Sequence, residues 1–315
     1  MNTQISKQTL TYLAAIIAML LWASAFPATR YVLQFYTPVT IMLLRFTAAS
    51  ITLIIIGIIR KMRVPRLRDM PLFIASGISG VILYSYLFTT GSVTVVSGIS
   101  SFIISTSPVF TLILSRIFLK EKVKIICWIG VIVSFIGLAG VTLTQITEFT
   151  FNFGVFLLIC AAVSSGVYTI VIRKISLTSP DIKTAPDTCE KPYTALEATT
   201  YTILIGTIGM VFFIPSAIRE IPDSNLTVNL LVILMGVFPS GLAYLSWSYA
   251  LSKADKLAHI TVFTYLIPFI SALIAYFWLN ETLTIYALIG GLVIISGMLM
   301  TNYTVFRKSG KSGLS

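Results

Sequence analysis

Arg45 carries the sharpest chemistry in this chain. It lies about two turns inside the apolar run 38–60, where a guanidinium is costly unless it faces protein or water. It either draws a substrate carboxylate into a bidentate pair or snorkels outward and bonds carbonyls of a neighbouring helix. Tyr84 and Tyr244 fall at the middle of two other apolar runs, with Phe88, Trp247 and Tyr168 on nearby turns. Aromatic residues at such places line a cavity or pack a bundle, and the matched placing of the two tyrosines favours the cavity. Ser97, Ser101, Ser105 and Pro108 recur at helical spacing, and Thr261, Tyr265 and Pro268 fall on a matching face further along. Each set occupies one side of its helix, as a wall that bonds a substrate or as a small-residue packing surface. The two prolines free a carbonyl near mid-helix and act as hinges or simple bends.

The remaining candidates sit near run ends. His259, the single histidine, titrates in the range proton coupling needs, and Glu197 is a second coupling candidate; either is equally a plain hydrogen-bonding residue. Glu121 and Glu281 open the fifth and tenth apolar runs, where an acid caps free N–H groups and suits the positive helix end, with gating as the other role. No acidic residue lies near the middle of any run. There is no H-E-x-x-H, G-x-S-x-G or G-x-x-x-x-G-K-[ST] pattern, so neither metal-assisted hydrolysis, a serine nucleophile nor ATP drive is written into the chain. No cofactor or metal is expected. A membrane-embedded enzyme and a passive channel remain as alternatives to a carrier.

What must position these residues follows from composition. Of 315 residues 57% are hydrophobic and 10% charged, against about 25% charged in a soluble domain. A chain of this size cannot hide so much apolar surface in water, so it is read as an all-α integral membrane protein embedded in a lipid bilayer. The apolar runs are continuous rather than alternating, which excludes a β-barrel and leaves helices to pair every backbone group in hydrocarbon. Ten runs are long enough to span: 11–33, 38–60, 70–91, 95–119, 122–144, 152–173, 194–217, 227–251, 256–279 and 283–306. The net charge of +11 does not indicate nucleic acid. Lys7 and the clusters at 60–68, 120–124, 173–191, 253–256 and 307–311 hold 18 of the 22 basic residues, all between runs on one side, which puts both termini in the cytoplasm. Cys127, Cys160 and Cys189 read as reduced thiols. Tyr12, Tyr36, Tyr303 and Trp278 at run ends read as an interfacial belt.

The stretch 108–141 occurs twice. A shift of 160 without gaps lays Pro108 on Pro268, Glu121 on Glu281, Gly130 on Gly290 and Gly137 on Gly297, and extends upstream to Tyr84 and Tyr244. A looser shift of 143 places Arg30 on Arg173, Trp22 on Ser165 and Ala25 on Tyr168. The chain therefore divides into two five-helix repeats, 1–147 and 148–315, with a cytoplasmic linker at 174–193 inside the second. Five is odd, so the second copy starts on the opposite face and the repeats are inverted. That arrangement suits alternating access around a midplane site.

Trp22-Ala23-Ser24-Ala25-Phe26, Arg45 and the blocks Pro108…Glu121…Gly130…Gly137 and Pro268…Glu281…Gly290…Gly297 resemble the EamA branch of the drug/metabolite transporter superfamily, over nearly the whole chain. The resemblance implies an inner-membrane carrier for a small-molecule substrate, often an exporter of amino acids or other small metabolites. The expected partners are protons as the coupling ion; the chain itself is expected to be a monomer or weak dimer. The resemblance places Trp22 and Ser24 at the substrate. The sixth run carries Ser165-Gly166 where the family often has Trp-Ala. The related small multidrug carriers exchange protons through a glutamate in their first helix; this chain has none there, which argues against cationic-drug exchange. Tags at the two termini are expected to be accessible from the same, cytoplasmic face, and accessibility from opposite faces would refute the inverted arrangement.

Overall fold

The computed structural model describes residues 2–118, 124–143, 152–177, 192–253 and 262–301. Among those residues all regular secondary structure is helical. Ten apolar helical stretches follow one another: α1 Asn2–Val32, α2 Pro38–Ile59, α3 Leu67–Gly91, α4 Ser97–Phe118, α5 Ile125–Leu143, α6 Phe153–Leu177, α7 Ala195–Ile208, α8 Leu226–Lys253, α9 Ile267–Leu279 and α10 Ile285–Thr301. Six of them (α1, α2, α3, α4, α6 and α8) are long and apolar enough to cross a membrane by themselves. After α7 the chain bends by 47° into Val211–Glu220, and the pair together makes a seventh such span. Outward-facing residues such as Ile51, Ile55, Ile132, Leu230 and Leu273 are exposed. A surface this greasy suits hydrocarbon and not water. The protein is a multi-pass membrane protein.

The two halves interlock rather than stand side by side. α1 packs on α8 and α9, and in mirrored fashion α6 packs on α3 and α4; α2 lies on α8 as α7 lies on α3. A single buried cluster accordingly draws Ala15, Met19 and Phe102 together with Leu158, Trp247 and Ile294.

Helix irregularities fall at matching places. α3 passes through a π-helical segment at Ile78–Leu83 and α8 through one at Gly236–Leu242, overlapping when shifted by 160. In α8 Pro239 removes a donor inside the segment. In α3 Ser79 donates from its side chain to the Ala75 carbonyl, a competitor for the backbone ladder. Tyr84 follows its segment directly, and Tyr244 follows after Ala243. A π turn takes up an extra residue and re-aims what comes after it, which is why such turns gather at functional sites. α4 is interrupted by a turn at Ser105 and Thr106, so Pro108 is the second residue of its later segment, Ser107–Phe118. Pro268 is likewise in the first turn of α9, after a 3-10 stretch at Val262–Leu266. Neither proline bends a continuous helix from within; each opens a new one where its missing N–H costs nothing.

α5 and α10, the closing helices of the halves, pair closely along their length. A side chain at Gly137 would meet the backbone N of Ile294 at 2.5 Å and the carbonyl of Gly290 at 2.7 Å, whereas one at Gly140 would meet only the Gly290 Cα at 3.8 Å. Gly137→Ala is expected to lower the melting temperature of the purified protein by an amount equivalent to about 1–3 kcal/mol, and Gly140→Ala to leave it nearly unchanged. Equal effects would show that backbone approach does not limit this pair.

Candidate functional site

Between the halves lies a cavity of about 110 Å³, several times the roughly 10–15 Å³ one water needs. Nine of the residues singled out from sequence line it: Trp22, Arg45, Tyr84, Phe88, Ser105, Pro108, Tyr168, Tyr244 and Trp247. They come from α1, α2, α3, α4, α6 and α8, so both halves build the wall. Trp22 meets Tyr244 edge-on at 5.5 Å and Trp247 tilted at 5.5 Å, Tyr84 stacks on Phe88 at 5.8 Å, and Tyr168 lies 5.8 Å from Tyr244. The Trp22 indole donates to the Pro239 carbonyl at 3.1 Å, and the Tyr244 hydroxyl donates to the Gly80 carbonyl at 3.2 Å. The π segments thus fix the aromatic wall through their backbone.

Arg45 is 6% exposed. Its Nε and Nη2 donate to Ser240 Oγ at 3.3 and 3.0 Å, and its Nη1 donates to Thr29 Oγ1 at 3.4 Å. A guanidinium has five N–H groups; three are used, leaving one on each terminal nitrogen. Among the described residues no ion pair involves Arg45, and no Asp or Glu lines the cavity. Ser105 Oγ is buried without a hydrogen-bond partner.

Other sequence candidates lie elsewhere. Ser24 and Ser101 turn their hydroxyls to the Leu21 and Gly98 carbonyls of their own helices and are outside the cavity wall. Pro268 is buried, while its neighbour Ile267 reaches the cavity. Thr261, His259 and Glu121 lie outside the described residues, as does the side chain of Tyr265. Glu281 does not open α10, which starts four residues later. Its Oε2 instead accepts from the backbone N of Ser97 at 2.9 Å, capping α4 of the other half, and its Oε1 lies 3.8 Å from Arg30 Nε. Arg30 also donates to the Ser92 and Val93 carbonyls. Tyr36, read above as part of an interfacial belt, is 3% exposed and bonds Ser224 and Asn229. Cys127 and Cys160 are free thiols; Cys189 is outside the described residues.

Glu197 is held at the start of α7. It forms a capping box with Thr194, and its two oxygens accept from the Arg63 backbone N, Nε and Nη2 at 2.9, 2.9 and 3.0 Å. That hydrogen bonding raises the pKa of Arg63 above its usual value against a smaller effect of burial.

Sequence reasoning missed several residues of the wall, notably Phe26, Phe46, Ser85, Thr111 and Thr264, and the two hydroxyls that hold Arg45. One signal was present: the 160 shift lays Ser240 on Gly80. At Gly80 a side chain would collide with the Tyr168 ring, so the first copy has no room for the hydroxyl that the second supplies.

The fold is that of a multi-pass helical membrane protein with interlocked halves, mirrored breaks and a central aromatic cavity. The family model of EamA-like transporters matches the chain twice, over residues 9–143 and 152–303, and the chain belongs to that family. It is 29% identical over 282 residues to an uncharacterized transporter, YdfC, of Bacillus subtilis, covering 89% of this chain and 87% of that one. It is 28% identical over 291 residues to a probable terminal-alkyne amino-acid exporter of Streptantibioticus cattleyicolor, covering 92% of each. A solved crystal structure superposes with a TM-score of 0.62 at 16% identity, covering 92% of this chain and 97% of the other; it shows the fold alone.

Replacing Glu197 by Gln is expected to cost about 1.5–3 kcal/mol of stability, read as a lower melting temperature, while transport and its pH dependence persist. Loss of the pH dependence with stability intact would make Glu197 a proton carrier instead.

Proposed function

We propose that this transporter moves a small carboxylate-bearing metabolite, an amino acid or related compound, outward by alternating access around the central cavity. The observation that carries the reading is Arg45: a buried cation lining the cavity, held by two neutral hydroxyls, with two N–H groups unspent. A guanidinium in hydrocarbon costs about 2.5–3.5 kcal/mol even on the milder insertion scales. Keeping it without an acidic partner makes sense where an anionic ligand supplies one. The aromatic residues around it suit the apolar part of such a ligand. The inverted repeats supply two arrangements of similar energy in which the site faces either side. The amino-acid exporter among the relatives supports the substrate class.

In proteoliposomes the protein is expected to catalyse saturable counterflow of at least one member of a panel of amino acids and 2-oxo acids. Arg45→Gln should weaken half-saturation about 10- to 100-fold, the equivalent of one charged hydrogen-bonded pair, at unchanged level in the membrane. Arg45→Lys, which keeps the charge and loses the planar fork, should fall between. A wild-type protein with no counterflow of any carboxylate, or an Arg45→Gln loss that only tracks protein level, would remove the proposal.

A further inference from the structure

We infer that Ser105 holds the amino group of the cargo, so that an amino acid is bound at two points, its carboxylate at Arg45 on α2 and its α-ammonium at Ser105 on α4. The inference rests on the carrier reading above and adds the residue that tells an amino acid from its deaminated analogue.

The break in α4 sets Ser105 apart. Hydroxyls in a helix commonly turn back onto a carbonyl three or four residues earlier, and the neighbours of Ser105 do so. Ser101 donates to the Gly98 carbonyl, Thr106 to that of Ile103, and Ser107 to that of Ile104. The Ile104 carbonyl needs Ser107 because Pro108, four residues on, has no N–H to give it. Ser105 ends the first segment of α4, lines the cavity and is 3% exposed, and its Oγ has no partner among the described residues. A buried hydroxyl left unpaired is costly, and turning one side-chain bond re-aims it. Its place in the wall makes sense where the cargo brings the missing partner.

The chemistry of that partner follows from what else the cavity offers. Arg45 has donors only and answers the carboxylate. An ammonium also has donors only and needs acceptors. Arg45 itself shows how this cavity keeps a cation: Ser240 Oγ and Thr29 Oγ1 accept from it. Ser105 presents the same kind of group, a hydroxyl with two lone pairs, from a different wall. α2 packs on α3, α7 and α8, whereas α4 packs on α1, α6 and α9. The rings of Phe88 and Trp247, which line the cavity too, add the attraction of an aromatic face for a cation. The reverse placing would set the ammonium beside the guanidinium, where like charges repel.

Two pairs of probes share a body and a carboxylate and differ in the amino group: L-phenylalanine with 3-phenylpropanoate, and L-leucine with 4-methylpentanoate. In proteoliposome counterflow the wild type is expected to take at least one of the amino acids about tenfold more tightly than its deaminated partner, as one hydrogen bond to a charged group provides. Ser105→Ala should weaken half-saturation for that amino acid by the same factor and leave the deaminated acid unchanged. Arg45→Gln should weaken both members of the pair. Ser105→Thr, which keeps the hydroxyl, should retain the preference for the amino acid. The unloaded Ser105→Ala protein should melt no lower than wild type, because no internal hydrogen bond is lost. Equal weakening of both members by Ser105→Ala, no weakening of either, or a wild type that takes the deaminated acids as tightly would overturn the assignment. If neither amino acid moves while another carboxylate of the wider panel does, the amino-group assignment falls and the carrier reading stands. If no carboxylate moves at all, both fall.

Discussion

A positive charge that cannot leave the interior governs the centre of this molecule. Arg45 sits in a helix whose neighbouring residues are apolar, and it is turned inward, not toward a membrane surface. Hydrocarbon offers it nothing, so the protein must bring hydrogen-bond acceptors to it. Thr29 on α1 and Ser240 on α8 do so from two sides, both fully buried. Ser240 belongs to the π segment of α8. The same irregular segment offers the Pro239 carbonyl to Trp22 and ends two residues before Tyr244. The local distortion, the aromatic wall and the held guanidinium are one construction. Removing the regularity of α8 is what lets a single turn serve all three.

How much of this was readable from residue order can be argued case by case. The helical runs were legible because hydrocarbon imposes a length and an apolar composition; most described spans begin and end within a few residues of the expected edges, but α1 starts earlier, α7 breaks at Ile208 and bends into Val211–Glu220, and α9 starts only at Ile267 after a 3-10 stretch. Tyr84 and Tyr244 could be paired because the repeat preserves register. Nine of the 21 residues of the cavity wall were then named from the sequence, chiefly aromatic and hydroxyl residues at mid-run. The failures have a common cause. Ser24 and Ser101 are hydroxyls whose own backbone carbonyls are within reach, and helical spacing does not say whether such a group points outward or back onto its helix. Glu281 was placed on its own helix because capping is usually local; its partner is 184 residues away, at the N-terminus of α4. Ser240 was missed for the opposite reason, its one trace being that the repeat lays it on Gly80. It carries no signal by itself and acquires one only when Arg45, far away in sequence, is known to face it.

The repeat also shows where symmetry was kept and where it was broken. Near-mirrored breaks in α3 and α8, and prolines opening the later segments of α4 and α9, keep the two halves mechanically alike. The glycines that let α5 and α10 approach do the same at the periphery. At the centre the halves differ: Gly80 faces the Tyr168 ring where Ser240 faces Arg45, and Trp22 occupies the place whose repeat mate is Ser165. On the proposed alternating-access reading, a scaffold that sits comfortably in two arrangements gains from symmetry. A site that must recognise one end of a molecule gains from losing it.

These two requirements meet in the guanidinium itself. Arg45 belongs to α2 of the first repeat and is tied to α8 of the second, so its hydrogen bonds cross the seam between them. A ligand shifts a conformational equilibrium only by as much as its affinity differs between the states. A group wholly within one half would feel little change as the halves move past each other. On the proposed carrier reading Arg45 would feel it directly, because any displacement of α8 relative to α2 alters the Ser240 contacts and with them the donors left for a carboxylate. The residue that answers the electrostatic problem of the interior is therefore also placed where binding and movement can be coupled.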